Sequence, residues 1–157
     1  MSANAFVGLA LTSHNNGALG TAVFERASVN APTNLALKGT AVASSTAGGS
    51  WAAEAIDGNS ATQWLSSGTG SQTLTVDLGS VKSVRRVTLD WGTTFARGFR
   101  LQTSNDGVTF TNFHSTSVGA GGTTDRAGLN LNARFVRVLM TTGTLGSYGV
   151  KELRVIG

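Results

Sequence analysis

From Leu35 to Gly157 the chain nowhere sustains the 3.6-residue apolar period of an amphipathic helix. Its apolar residues come instead in short runs that alternate with polar ones and stop at turn-forming clusters. In Gln72–Leu78, Leu74, Val76 and Leu78 face one way, and Thr73, Thr75 and Asp77 the other. Val87, Leu89 and Trp91 share a face, as do Phe99, Leu101 and Thr103. Asn105-Asp106-Gly107 supplies a tight turn into 108–113, and the segments 134–140 and 150–156 read as closing strands. The Gly/Ser/Thr-rich stretches 44–50, 66–71, 119–124 and 141–147 are loops. Such a pattern predicts an all-β, antiparallel sandwich with no internal repeat.

Composition fits that architecture. Only 13% of residues are charged and 21 are glycine, so hydroxyls and short polar groups must cover the surface. This balance is common in extracellular modules of polysaccharide-degrading enzymes. There is no cysteine, but a domain of this size buries enough core without staples, and the absence is neutral about compartment. The net charge of +4 is dispersed apart from Arg85-Arg86, with no basic helix and no aromatic-interleaved patch, which speaks against nucleic acid. The segment 1–14 lacks the charged start and cleavage site of a signal peptide, and no apolar run approaches the roughly 20 residues that span a bilayer.

The first 29 residues read as a β-hairpin: strands at 5–13 and 21–29 around a His14-Asn15-Asn16-Gly17 turn. The stretch resembles the last two strands of laminin-G-like or concanavalin-like jelly rolls. It is expected to be a remnant of such a preceding module, with a decoration native to this domain as the alternative. Residues 30–33, which hold the sole proline, form a linker, and 34–157 the main domain.

The segment Glu54-Ala-Ile-Asp57-Gly58-Asn59-Ser60-Ala61-Thr62-Gln63-Trp64 has the residue types of a tight loop that folds oxygens around a hard cation. Calcium takes six to eight oxygens at about 2.3–2.6 Å, and this loop offers one obvious carboxylate, so a second acid must come from elsewhere. AIDGNSATQW, VDLGSVKSVRRVTLDW, FRLQTSNDGVTF, RFVRVLM and the closing KELRVIG, in this order, resemble a coagulation factor 5/8 type C (discoidin) domain. Within that superfamily they are most similar to the family 32 carbohydrate-binding modules of bacterial enzymes. The resemblance covers about Asn34 to Gly157 and implies an eight-stranded jelly roll, binding loops at one end and a structural Ca2+. It implies Asp57 and Glu152 as carboxylate ligands, Thr62 through hydroxyl and carbonyl, and Glu54, Asn59 and Lys151 through carbonyls.

A sugar site needs an exposed aromatic platform with polar side chains at its rim. Trp64, Phe99, Phe110 and Phe135 sit where core residues are expected. Trp51, Trp91 and Tyr148 are the candidate platforms, and Asp90 and Arg97, flanking the 92–98 loop, the candidate rim partners. Galactose-binding members of the resembled family carry a histidine after the tryptophan of the calcium loop, where this chain has Leu65, and an arginine near the position of Phe95. The resemblance therefore favours a neutral, glucan-like polysaccharide over galactosides. No paired carboxylates, triad, phosphate loop or zinc spacing appears, so no catalysis is expected. The expected role is a secreted, non-catalytic module that targets a covalently linked glycoside hydrolase or lyase to polysaccharide or oligosaccharide. The alternatives are an adhesion or lectin module for cell-surface glycans or protein and, less favoured, membrane binding through apolar loop tips, with Leu65 and Leu145 as extra candidates.

Overall fold

The structure, a computed structural model, describes residues 32–143 and 145–157. The hairpin expected at 1–29 and the start of the linker lie outside the described residues.

The described residues form two antiparallel sheets face to face. β1 (Thr40–Ala43), β3 (Gln72–Val84), β5 (Ala96–Ser104), β6 (Thr111–Thr116) and β8 (Leu131–Gly143) make a five-stranded sheet in the order β1-β3-β8-β5-β6. β2 (Trp64–Leu65), β4 (Arg86–Trp91), β7 (Thr123–Arg126) and β9 (Gly149–Ile156) make a four-stranded sheet in the order β2-β9-β4-β7. Two short 3₁₀ turns, Leu35–Lys38 and Ala52–Ala55, are the only helical pieces among the described residues. The all-β sandwich is as the alternation predicts. It has one strand more than the resemblance implies, two-residue β2 and four-residue β7 being the short members.

The core lies where the period-2 pattern puts it. Leu74, Val76, Leu78, Phe99, Leu101, Val136, Val138 and Met140 from one sheet meet Trp64, Val87, Leu89, Trp91, Val150, Leu153 and Val155 from the other, all buried. Phe110 and Phe135 depart from expectation. Both are half-buried, the Phe110 ring under the Arg137 guanidinium at 3.4 Å and the Phe135 ring under that of Arg134 at 4.9 Å. An aromatic ring left partly in water is stabilised in this way by a cation over its face.

Strand pairing sets the polarity of the molecule. Gln72 opposes Met140 and Ala96 opposes Gly143, so loops 44–51, 66–71, 92–95, 117–122 and the one ending at Tyr148 emerge at one end. Val84 opposes Leu131 and Arg86 opposes Ile156 at the other. There the first and last described residues are held together: Asn34 bridges to Ile156, and the Gly157 N–H donates to the Thr33 carbonyl at 3.1 Å.

Candidate functional site

The loop end is built from serine, threonine and glycine, and a hydrogen-bond web orders it. The Ser45 and Ser44 hydroxyls both donate to Gln72 Oε1. The Trp64 indole N–H donates to the Ser45 carbonyl at 3.0 Å, and the Ser67 N–H to Ser45 Oγ at 3.1 Å. The Ala47 N–H donates to the Leu65 carbonyl, and the Gly149 N–H to that of Thr94. Short polar side chains thus fix loops that have little apolar surface to bury. These loops contain no Asp or Glu.

Only one of the three proposed platforms is exposed. Trp51, at the start of the second 3₁₀ turn and next to Gly48-Gly49-Ser50, is 65% exposed. Trp91 is a core residue and not a platform. The alternation that places Val87 and Leu89 inward continues to it, its indole N–H donates to Thr124 Oγ1 at 3.2 Å, and its ring packs edge-on against Phe99. Tyr148 is likewise corrected to a buried residue. Its hydroxyl donates to the Thr69 carbonyl at 2.7 Å, its N–H donates to Ser66 Oγ at 2.7 Å, and burial pushes its phenol pKa up.

Arg97 is exposed at the start of β5, and its carbonyl accepts from the Gly119 N–H. Strand order separates it from Trp51 by the loops entering β3 and leaving β8. Asp90 does not reach the rim. It lies on the outer face of the four-stranded sheet, where it pairs with Arg154 at 2.7 Å and accepts from the Thr123 hydroxyl at 2.7 Å. Gln63 escaped the sequence reading. Its Oε1 is buried without a hydrogen-bond partner and lies against Gly92, where a Cβ would collide with it, and Gly149, where a Cβ would crowd it. The glycines at these two positions were the only signal.

The expected cation site brings together Asp57, Asn59, Thr62 and Glu152. Asp57 Oδ1 accepts from the Asn59 N–H and Oδ2 from the Thr62 hydroxyl, both at 2.8 Å. The Thr62 hydroxyl also lies 2.7 Å from the Asn59 carbonyl. Gly58, at φ 81°, supplies the left-handed residue that turns this loop over β9. Glu152 lies beneath it, fully buried. One oxygen accepts from the Gly58 N–H at 3.3 Å, and Oε2 has no partner. Burial, with the Asp57 and Asp90 charges behind it, outweighs Gly58 and Arg154 and raises the Glu152 pKa.

An unpaired buried carboxylate oxygen facing a second acid is costly without a cation. The donors are all hard oxygens, which suits calcium. Among the described residues no three His, Cys, Asp or Glu side chains gather to hold a metal, so a cation here would need hydroxyl and carbonyl oxygens as well. Glu54, in the second 3₁₀ turn, and Lys151, on β9, lie half-buried on elements that pack together beside this loop.

The F5/8 type C domain matches residues 40–152. Chitosan-binding module 1 derived from a chitosanase/glucanase of Paenibacillus sp. IK-5 is 38% identical, with a TM-score of 0.76 over 80% of this chain and 99% of that one. Module 2 of the same enzyme, in complex with chitotriose, is 37% identical, with a TM-score of 0.75 over 79% and 100%. The family 32 module of C. perfringens NanJ, in complex with galactose, shares the fold at 24% identity, with a TM-score of 0.72 over 81% and 100%. No curated protein matches the chain. The family and these neighbours are non-catalytic modules.

Proposed function

This chain belongs to the F5/8 type C domain family, and we propose that it holds a polysaccharide at the loop end of its sandwich with Trp51 as the platform. The observation that carries this reading is the exposure of Trp51. A tryptophan left in water among glycine and hydroxyl groups presents an apolar face to the C–H face of a sugar, while the neighbouring hydroxyls suit its rim. Arg97 is the rim partner on the far side. Binding is weak per site, because a shallow surface with one aromatic buries little area. Attachment to a secreted bacterial glycoside hydrolase or lyase would make weak binding useful by raising the enzyme's local concentration on substrate.

The polymer we favour is a neutral, glucan-like chain. Chitosan carries an ammonium on each sugar and calls for carboxylates, whereas loops 44–51, 66–71, 92–95 and 117–122 hold none. Calcium, held by Asp57, Thr62 and Glu152 with carbonyls of Glu54, Asn59 and Lys151, would supply the charge that ties the 57–62 loop to β9. Its role is to stiffen the frame, not to touch the sugar.

Affinity electrophoresis tests the proposal. At least one neutral glucan should retard the protein, and Trp51→Ala should weaken retention about tenfold, the size of one stacked aromatic contact, with the melting temperature unchanged. Retention unaffected by that substitution would refute the Trp51 platform. A second reading rests on Val118 and Leu145, 81% and 63% exposed at the same end: together with Trp51 they would dip into a membrane surface. Sedimentation with anionic liposomes, without retention by any polysaccharide, would establish that reading instead.

A further inference from the structure

The sandwich is open along one side. β6 ends the five-stranded sheet and β7 the four-stranded sheet, on the edge opposite β1 and β2. Between them runs a groove of about 280 Å³, lined by Phe99, His114, Thr116, Thr124, Asp125 and Arg126 beside the 118–121 turn.

Alternation along β7 turns Asp125 outward, where Arg86 grips its carboxylate with two N–H groups, and Arg126 towards the groove. The Arg126 guanidinium, with five N–H hydrogens, has poor partners. Nη1 donates to the neighbouring Asp125 carbonyl and Nη2 to His114 Nε2, each at 2.9 Å, while Nε is buried with no acceptor. The ion pairs of the described residues join Arg86 to Asp125, Arg134 to Asp77 and Arg154 to Asp90, and none includes Arg126. Since a guanidinium only donates, His114 Nε2 must accept, which leaves the imidazole neutral with its proton on Nδ1. Burial first, and then the Arg126 charge, lower the His114 pKa in agreement.

The Asp125 charge reaches Arg126, but that carboxylate is gripped by Arg86. The Arg126 guanidinium is thus left with a carbonyl and a neutral ring as its hydrogen-bond partners and an Nε without an acceptor. The groove supplies what a sugar acid needs around such a cation. Thr116 Oγ1 accepts from the Val118 N–H and Thr124 Oγ1 from the Trp91 indole, so both hydroxyl hydrogens are free to donate.

We propose that the groove between β6 and β7 is a second binding site, which takes a uronic-acid residue with its carboxylate on Arg126. The planar carboxylate matches the guanidinium fork, His114 Nδ1–H and the Thr116 and Thr124 hydroxyls meet the sugar's oxygens, and the 118–121 turn forms the wall. The site stands on the opposite edge from Trp51 and does not depend on that platform.

The test is a titration of the full chain with glucuronate, followed at the His114 ring and Arg126 Nε resonances. Saturable shifts are expected in the range of about 1–10 mM, typical of a small ligand on a shallow site. Glucose, which lacks the carboxylate, and acetate, which lacks the sugar, should each bind at least about tenfold more weakly. Arg126→Gln should abolish the His114 shift. Arg126→Lys, which keeps charge but not the fork, should weaken it about tenfold and serves if the glutamine variant does not fold. Trp51→Ala should leave the titration unchanged. The absence of a saturable shift with glucuronate, affinity for acetate equal to that for glucuronate, or wild-type binding by a folded Arg126→Gln protein would each overturn the proposal. Loss of all polysaccharide retention with this titration intact would overturn the Trp51 reading alone.

Discussion

Tyr148 precedes β9 by one residue and yet touches no solvent. Gly143 leaves room for its ring, since a Cβ there would approach the ring to 2.7 Å, and the hydroxyl is capped by the Thr69 carbonyl. Tyr148→Phe removes this hydrogen bond and should cost about 1 kcal/mol in urea unfolding. Tyr148→Ala should cost about 3–5 kcal/mol, as should Trp91→Ala, since both empty the core. Trp51→Ala should leave the unfolding midpoint in place. Sequence could separate these aromatics only in part. Trp91 shares its period with Val87 and Leu89, yet its place at a strand end beside the 92–98 loop makes it read as a candidate platform. Tyr148 was not legible, because its Gly-Ser-Tyr-Gly setting reads as a solvated loop, and burial comes from the 66–71 loop folding over it from a distant part of the chain. Arg126 was illegible for a similar reason, because the β6–β7 edge that isolates it exists only once both sheets have formed.

At the level of elements, the loop 57–62 and the strand β9 are joined by few direct bonds. The Gly58 N–H reaches Glu152 at 3.3 Å, and the rest of that carboxylate faces a second acid. If calcium occupies this joint, chelation should lower the melting temperature by several degrees, and added calcium should restore it. Glu152→Gln should abolish that calcium dependence and raise the melting temperature of the chelated protein, because it removes a buried charge whose one hydrogen bond, from Gly58, is long. A melting temperature indifferent to chelator and calcium in the wild type would exclude the metal. The sequence placed Asp57 and Glu152 in one site from motif order alone. It could not place Asp90, because only the pairing of β4 with β9 and β7 sets its carboxylate between Arg154 and Thr123.

At the scale of the whole sandwich, the carboxylates and the histidine with resolved shifts mostly point one way among the described residues. Hydrogen bonds from the Val108, Ser104 and Thr109 groups hold the Asp106 pKa far below its ordinary range. Arg134 and Arg86 lower those of Asp77 and Asp125. Each of these carboxylates contributes stability above its unfolded pKa of 3.8 and loses it as pH falls through the lower folded value. His114 adds to the same trend earlier. Its folded pKa lies below 6.5, so the unfolded chain takes the proton first and stability declines as pH drops past that value. Glu152 opposes them, since its raised pKa favours the folded state on acidification in the chelated protein. Melting temperature against pH should therefore be flat above about pH 7, sag near pH 6 and fall steeply below pH 4. His114→Gln should erase the sag alone.

The closure of Gly157 onto Thr33 has a consequence for any longer polypeptide that carries this sandwich. The strand enters and leaves at one pole, and Trp51 sits towards the other. Chain that enters the sandwich at Thr33 and chain joined after Gly157 therefore meet it at the pole away from Trp51, so a covalent attachment there leaves the Trp51 end uncovered.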